Sequence, residues 1–135
     1  MTILSSTEAR PQLEALVSGL SFVSESDAPL TVVSLGYRAE LDASAVLAAL
    51  SKPPDAPIEQ VSVDDFFGYA VQDQTYYTEE QRSAVQRYRA LVQFLRTSLS
   101  DARVFRIGKI EIDVYAVGKS RDGEWLGAAT KLVET

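Results

Sequence analysis

The hydrophobic and polar pattern is clearest in the last third of the chain. Ile110, Glu111, Ile112, Asp113 and Val114 alternate with a period of two, which predicts a strand with one buried face. Ser120, Arg121, Asp122 and Gly123 supply a turn, with Gly123 able to take the left-handed conformation of a tight reversal. A further strand is predicted over residues 124–133, and the run that opens at Val104 supplies the first of three β segments. A strand that holds the end of the chain is unusual, because termini are generally the least ordered part of a domain. The sequence therefore predicts an anchored, anionic C-terminus at Glu134 and Thr135, and makes it the first functional suspect.

Helical periodicity dominates the segments before it. Ser6 or Thr7 is expected to cap a first helix with Glu8 in its opening turn. Leu13, Leu16, Val17 and Leu20 form its apolar stripe, and Gly19 its stop. Residues 22–29 read as a polar, acidic loop, followed by a strand over residues 30–35. A short helix over residues 42–50 is capped by Asp42 or Ser44. Residues 52–57, rich in proline, form a stiff connector too short to separate domains. Val61, Ser62 and Val63 read as a short strand, with Asp64 capping a turn that carries Phe66 and Phe67 inward.

The longest helix is predicted over residues 78–100. Thr78 with Gln81 three residues on resembles a capping box. Ala84, Tyr88, Leu91, Val92, Leu95 and Leu99 share one face, while Arg82, Gln86, Arg87 and Arg89 lie mostly off it and read as solvated. Just before this helix stand Gln74, Tyr76 and Tyr77 in a turn-like setting. Tyrosines beside an amide suit an interface; equally, one ring packs inward and the rest is solvated. The order of elements predicts a single α+β domain over residues 1–135, with helices covering a central antiparallel sheet.

Composition narrows the function. The chain has neither cysteine nor histidine, which removes disulfides, thiolate chemistry, the commonest general base and the commonest zinc ligand. Paired acids such as Asp64 with Asp65 and Glu111 with Asp113 sit in no metal-binding or catalytic motif. An enzyme is not expected, nor a cofactor. The net charge of −6 argues against nucleic-acid phosphates and steers the protein towards a basic partner. No apolar run approaches a membrane span, and residues 1–19 lack the features of a secretory signal, so a cytoplasmic protein is expected. Glu25, flanked by serines, reads on its own as a solvated loop glutamate.

The chain resembles the nuclease A inhibitor family, small acidic proteins that block sugar-nonspecific ββα-metal nucleases. The resemblance is carried by the stretch from Leu20 to Ser26, by Asp65, Phe66 and Phe67, by Val104 to Gly108 with Glu111 to Tyr115, and by Thr130 to Thr135. It spans nearly the whole length and is weakest over residues 36–59. It implies a three-layer α/β/α sandwich similar to pathogenesis-related class 1 proteins. It also implies inhibition by plugging the nuclease's metal-containing active site, with a divalent ion such as magnesium carried by the partner. By the same resemblance, Glu25 and Thr135 reach the metal region, while Gln74 and Tyr76 make further contacts. Tyr76 stands where the family pattern has tryptophan. A one-to-one complex with such a nuclease is the expected assembly, and an interaction module of the same fold with a different target is the alternative.

Overall fold

A computed structural model describes residues 2–23 and 25–134 of the chain. These residues form α1 (Ser6–Val17), β1 (Ser21–Val23), β2 (Asp27–Pro29), β3 (Thr31–Tyr37), α2 (Ala43–Ala49) and β4 (Ile58–Val61). After these come α3 (Val63–Phe67), α4 (Glu79–Thr97), β5 (Ser100–Ile107), β6 (Glu111–Lys119) and β7 (Glu124–Val133). Five strands make one antiparallel sheet in the order β3-β7-β6-β5-β4. β1 and β2 pair separately as a two-stranded hairpin. The chain is thus mixed α+β around an antiparallel sheet, as the terminal strand pattern predicts.

The period-two alternation of β6 and β7 divides two cores. Ile112, Val114 and Ala116, with Leu126, Ala128 and Leu132, face a cluster shared with α1, α3 and α4. Val117 and Trp125 face the other way, into a smaller cluster with Val46 and Leu47 of α2 and Phe105 of β5. Trp125 is fully buried there, donates from its indole nitrogen to the Arg38 carbonyl at 3.0 Å, and has Arg103 5.2 Å from its ring centroid. β6 and β7 approach closely at Gly127, where a Cβ would stand 1.9 Å from the Ala116 carbonyl oxygen; only glycine fits.

Helix boundaries follow side-chain capping. Thr78 and Gln81 complete the expected capping box of α4, and the Asp42 carboxylate accepts from the Ala45 amide to start α2. Two expected starts move. α1 is capped by Ser5, one or two residues earlier, because Glu8 can then return a hydrogen bond to the Ser5 amide. Val61, Ser62 and Val63 are not a strand: β4 ends at Val61, and the Ser62 hydroxyl, rather than Asp64, caps α3 by accepting from the Asp65 amide at 3.0 Å. The buried face of α4 also includes Val85 and Phe94, which widens the expected stripe.

The first turn of α1 is tied to the β6–β7 turn. Asp122 accepts from the Ser6 amide at 2.8 Å and from its hydroxyl at 2.7 Å, and also from Ser120. The Ser6 hydroxyl, then its backbone amide, hold the Asp122 carboxyl well below the usual carboxylate range. Beside it the buried Glu124 accepts from Ser34 and Arg10. Burial pushes the Glu124 carboxyl up, but those two donors outweigh it and leave the group below its ordinary value. Both carboxylates of this corner are matched by donors that favour their charge.

Candidate functional site

Residues 22–29 are not the irregular loop that their polarity predicts. Ser21 pairs with Pro29, Phe22 with Ala28 and Val23 with Asp27, which places Glu25 in the reversal between β1 and β2. Side chains from three other elements meet this hairpin among the described residues. The Phe22 ring stacks on Phe66 with centroids 5.1 Å apart, and meets Tyr88 edge-on at 6.1 Å and Phe67 at 6.5 Å. The Tyr88 hydroxyl donates to the Ser21 carbonyl at 2.6 Å, and burial raises that phenol well above its usual range, so it remains a donor. On the other strand, Thr130 of β7 donates from its hydroxyl to the Ala28 carbonyl at 3.3 Å. A three-residue ribbon has little stability of its own; here the aromatic cluster and β7 supply it. Glu25 therefore stands exposed on a rooted support.

Gln74 and Tyr76 lie in the loop between α3 and α4. Local turns fold it: Gln72 donates to the Tyr69 carbonyl at 3.2 Å and Tyr77 to the Gln74 carbonyl at 3.1 Å. Two arginines of α4 pin it from beneath. Arg89 donates from Nε to the Val71 carbonyl at 2.8 Å; Arg82 reaches the Thr75 carbonyl at 3.2 Å and pairs with Asp73 at 3.6 Å. Arg87 likewise donates to the Leu16 and Ser18 carbonyls at the end of α1. The arginines that read as a solvated face are thus clamps on loop backbone. Charged planar donors suit that task, because exposed loop carbonyls have no ladder partner.

Tyr76 is 72% exposed, and its ring meets that of Tyr77 edge-on at 5.2 Å. A hydrogen bond shared with Tyr69 raises the Tyr76 phenol above its ordinary value. Tyr77 turns partly inward while Tyr76 and Tyr69 project outward, so elements of both sequence readings of this stretch hold. Gln74 is half-buried.

Phe22 and Val23 of the hairpin and Tyr69 and Tyr77 of the loop line one groove of about 350 Å³, together with Gln81 of α4. Phe22 and Phe66 also line a second cleft of about 240 Å³, together with Leu132, Arg106 and Glu134. There the last strand runs out beside the hairpin. The Glu134 amide still donates to the Ile110 carbonyl at 2.9 Å. Thr135 lies outside the described residues. The structure thus brings the support of Glu25, the loop of Gln74 and Tyr76, and the residues leading to Thr135 around one Phe22–Phe66 pair.

Sequence reasoning placed Phe66 and Tyr88 on buried faces but missed that they pack on Phe22, and it missed the clamping roles of Arg89 and Arg106. The adjacent Phe66 and Phe67 were a signal, since two neighbouring aromatics on a short helix need a partner wider than one helix face. Among the described residues no group of three or more acidic side chains is placed to hold a metal ion, and no helix is long and apolar enough to cross a membrane.

No curated protein matches the chain. A family model described as nuclease A inhibitor-like protein matches residues 7–135, and so takes in the hairpin, the aromatic cluster, the tyrosine loop and the final strand. The chain belongs to the nuclease A inhibitor-like protein family.

Proposed function

We propose that this protein inhibits a sugar-nonspecific ββα-metal nuclease by filling its active site from the rim formed by the hairpin, the tyrosine loop and the end of β7. The observation that carries the reading is the shared Phe22–Phe66 support, which seats three separate segments in one surface. Glu25 directs a carboxylate at the partner's metal region, and Thr135 brings oxygen donors to the same place. Magnesium takes oxygen ligands and commonly keeps water-filled positions, so a carboxylate is a fitting substitute for a phosphate there. Gln74 and Tyr76 hold the flank by hydrogen bonding and ring contact.

Preorganisation makes the arrangement effective. A hairpin rooted by Phe22 and Tyr88, and a loop clamped by Arg82 and Arg89, lose little conformational freedom on binding. The net charge of −6 speeds encounter with a basic cleft, in a salt-dependent way. A one-to-one complex of this kind buries about 1,600 Å². The helices on both faces of the sheet fit the three-layer α/β/α arrangement similar to pathogenesis-related class 1 proteins, which belongs to the same proposal. The protein acts as a plug and performs no chemistry of its own.

The test is the activity of a magnesium-dependent nonspecific nuclease titrated with the protein and with Glu25→Gln. The substitution keeps the shape and removes the charge. It is expected to weaken inhibition by about 1–3 kcal/mol, the range for a hydrogen bond to a charged group. Unchanged inhibition by Glu25→Gln would remove the carboxylate from the mechanism.

A further inference from the structure

Arg106 is the residue at the rim to which neither the family resemblance nor its motifs assign a role. It lies on β5, two strands away from β7, with β6 between them. Its guanidinium pairs with Glu59 of the edge strand β4 at 3.3 Å and with Glu134 at 2.5 Å. The arginine is largely buried, at 22% side-chain exposure, whereas Glu134 is 57% exposed. The fixed partner is therefore the arginine, and the held partner is Glu134, just past the end of β7. Beyond Val133 the ladder continues, among the described residues, in the bond from the Glu134 amide to the Ile110 carbonyl. The side-chain pair adds a second point of attachment at the same residue, and Thr135 is the residue bonded to it.

From this geometry we infer that Arg106 is a positioning residue for inhibition: by clamping Glu134 it holds the end of β7 beside the β1–β2 hairpin. The inference rests on the proposed inhibitory role of Thr135. Two attachments at Glu134 hold the end of β7, where the ladder bond alone would leave the strand end free to fray. The cleft around the pair is lined by the apolar Phe22, Val61, Phe66 and Leu132 and by the Asp65 carboxylate. Arg106 need not touch the partner.

A double-mutant cycle separates positioning from general support. Arg106→Gln, deletion of Thr135, and the two combined are compared in nuclease titration, with Arg96→Gln as a control that removes an arginine from an exposed pair with Asp64. Arg106→Gln is expected to weaken inhibition about tenfold, the low end for a charged hydrogen bond because Glu134 is partly exposed. In the background lacking Thr135 it should cost nothing further. Glu134→Gln, at an exposed position that folding tolerates, should reproduce the loss if Arg106→Gln does not fold. Hydrogen exchange of the Glu134 amide provides a readout that needs no nuclease: Arg106→Gln should accelerate it while leaving the middle of β6 and β7 protected. Unchanged exchange at Glu134 overturns the clamp, whatever the inhibition data show. Losses that add fully to those of Thr135 deletion assign Arg106 a structural role and also overturn it. If the unaltered protein does not inhibit the nuclease, or deletion of Thr135 has no effect, the underlying reading falls first and takes the inference with it.

Discussion

Phe22→Ala tests the link between core and rim most severely. Truncating a buried phenylalanine costs about 3–5 kcal/mol. Phe22 is only partly buried, but it makes one stacked and two edge contacts, and each such pair adds about 0.5–1.5 kcal/mol beyond area. A loss of about 2–3 kcal/mol follows. For 135 residues the unfolding entropy at the midpoint is about 0.28 kcal/mol/K, so the melting temperature should fall by about 7–11 °C. The damage should not stay in the core. Without the ring, the three-residue ribbon loses its aromatic anchor and leans on the Tyr88 and Thr130 hydrogen bonds and its own ladder, so the support of Glu25 loosens and nuclease inhibition should weaken about tenfold or more. Thermal unfolding by circular dichroism, with nuclease titration well below the new midpoint, measures both effects. A melting shift under about 2 °C would refute the claim that this ring roots the hairpin. A large shift with undiminished inhibition would separate the cluster from the site.

Arg89→Ala removes a clamp on the tyrosine loop without opening the core. It should leave the melting temperature within a few degrees, speed hydrogen exchange over residues 69–77, and weaken inhibition severalfold; identical exchange would show that the loop holds itself. Acid stability depends on the Asp122 corner. The folded carboxyl sits below its ordinary value of 3.8, so its contribution is present above that pH and disappears as the pH falls through the carboxylate range. Asp122→Asn should therefore be less stable at pH 7 and show a flatter dependence of the urea midpoint between about pH 5 and pH 3; an unchanged slope would assign the acid sensitivity elsewhere.

How much of this was legible in the sequence varied with the kind of force involved. The last three strands and the 120–123 turn were plain, because burial of one sheet face imposes alternation and a tight reversal needs Gly123, which has φ +97°. The cap of α4 was plain because a capping box is local chemistry. The hairpin was not. Its pattern of exposed Ser21, half-buried Phe22 and exposed Val23 is too short to show a period, and it is held by Phe66 and Tyr88, more than forty residues on. The roles of Arg82, Arg87, Arg89 and Arg106 were hidden for the same reason: their partners are loop carbonyls and carboxylates brought in by tertiary structure. Of the candidate site, the C-terminus and the Gln74–Tyr76 stretch stood out from pattern and residue type, while Glu25 came from family resemblance alone, since a serine-flanked glutamate carries no signal of its own.

The most direct measurement is DNA hydrolysis by a magnesium-dependent nonspecific nuclease of the ββα-metal class, titrated with this protein at fixed enzyme concentration. Loss of activity along a straight line that ends at one inhibitor per nuclease, with a shallower approach for Glu25→Gln, is the predicted result. Undiminished hydrolysis at a large excess of the protein, across several nucleases of that class, would contradict the account and leave a binding domain whose target is not a nuclease.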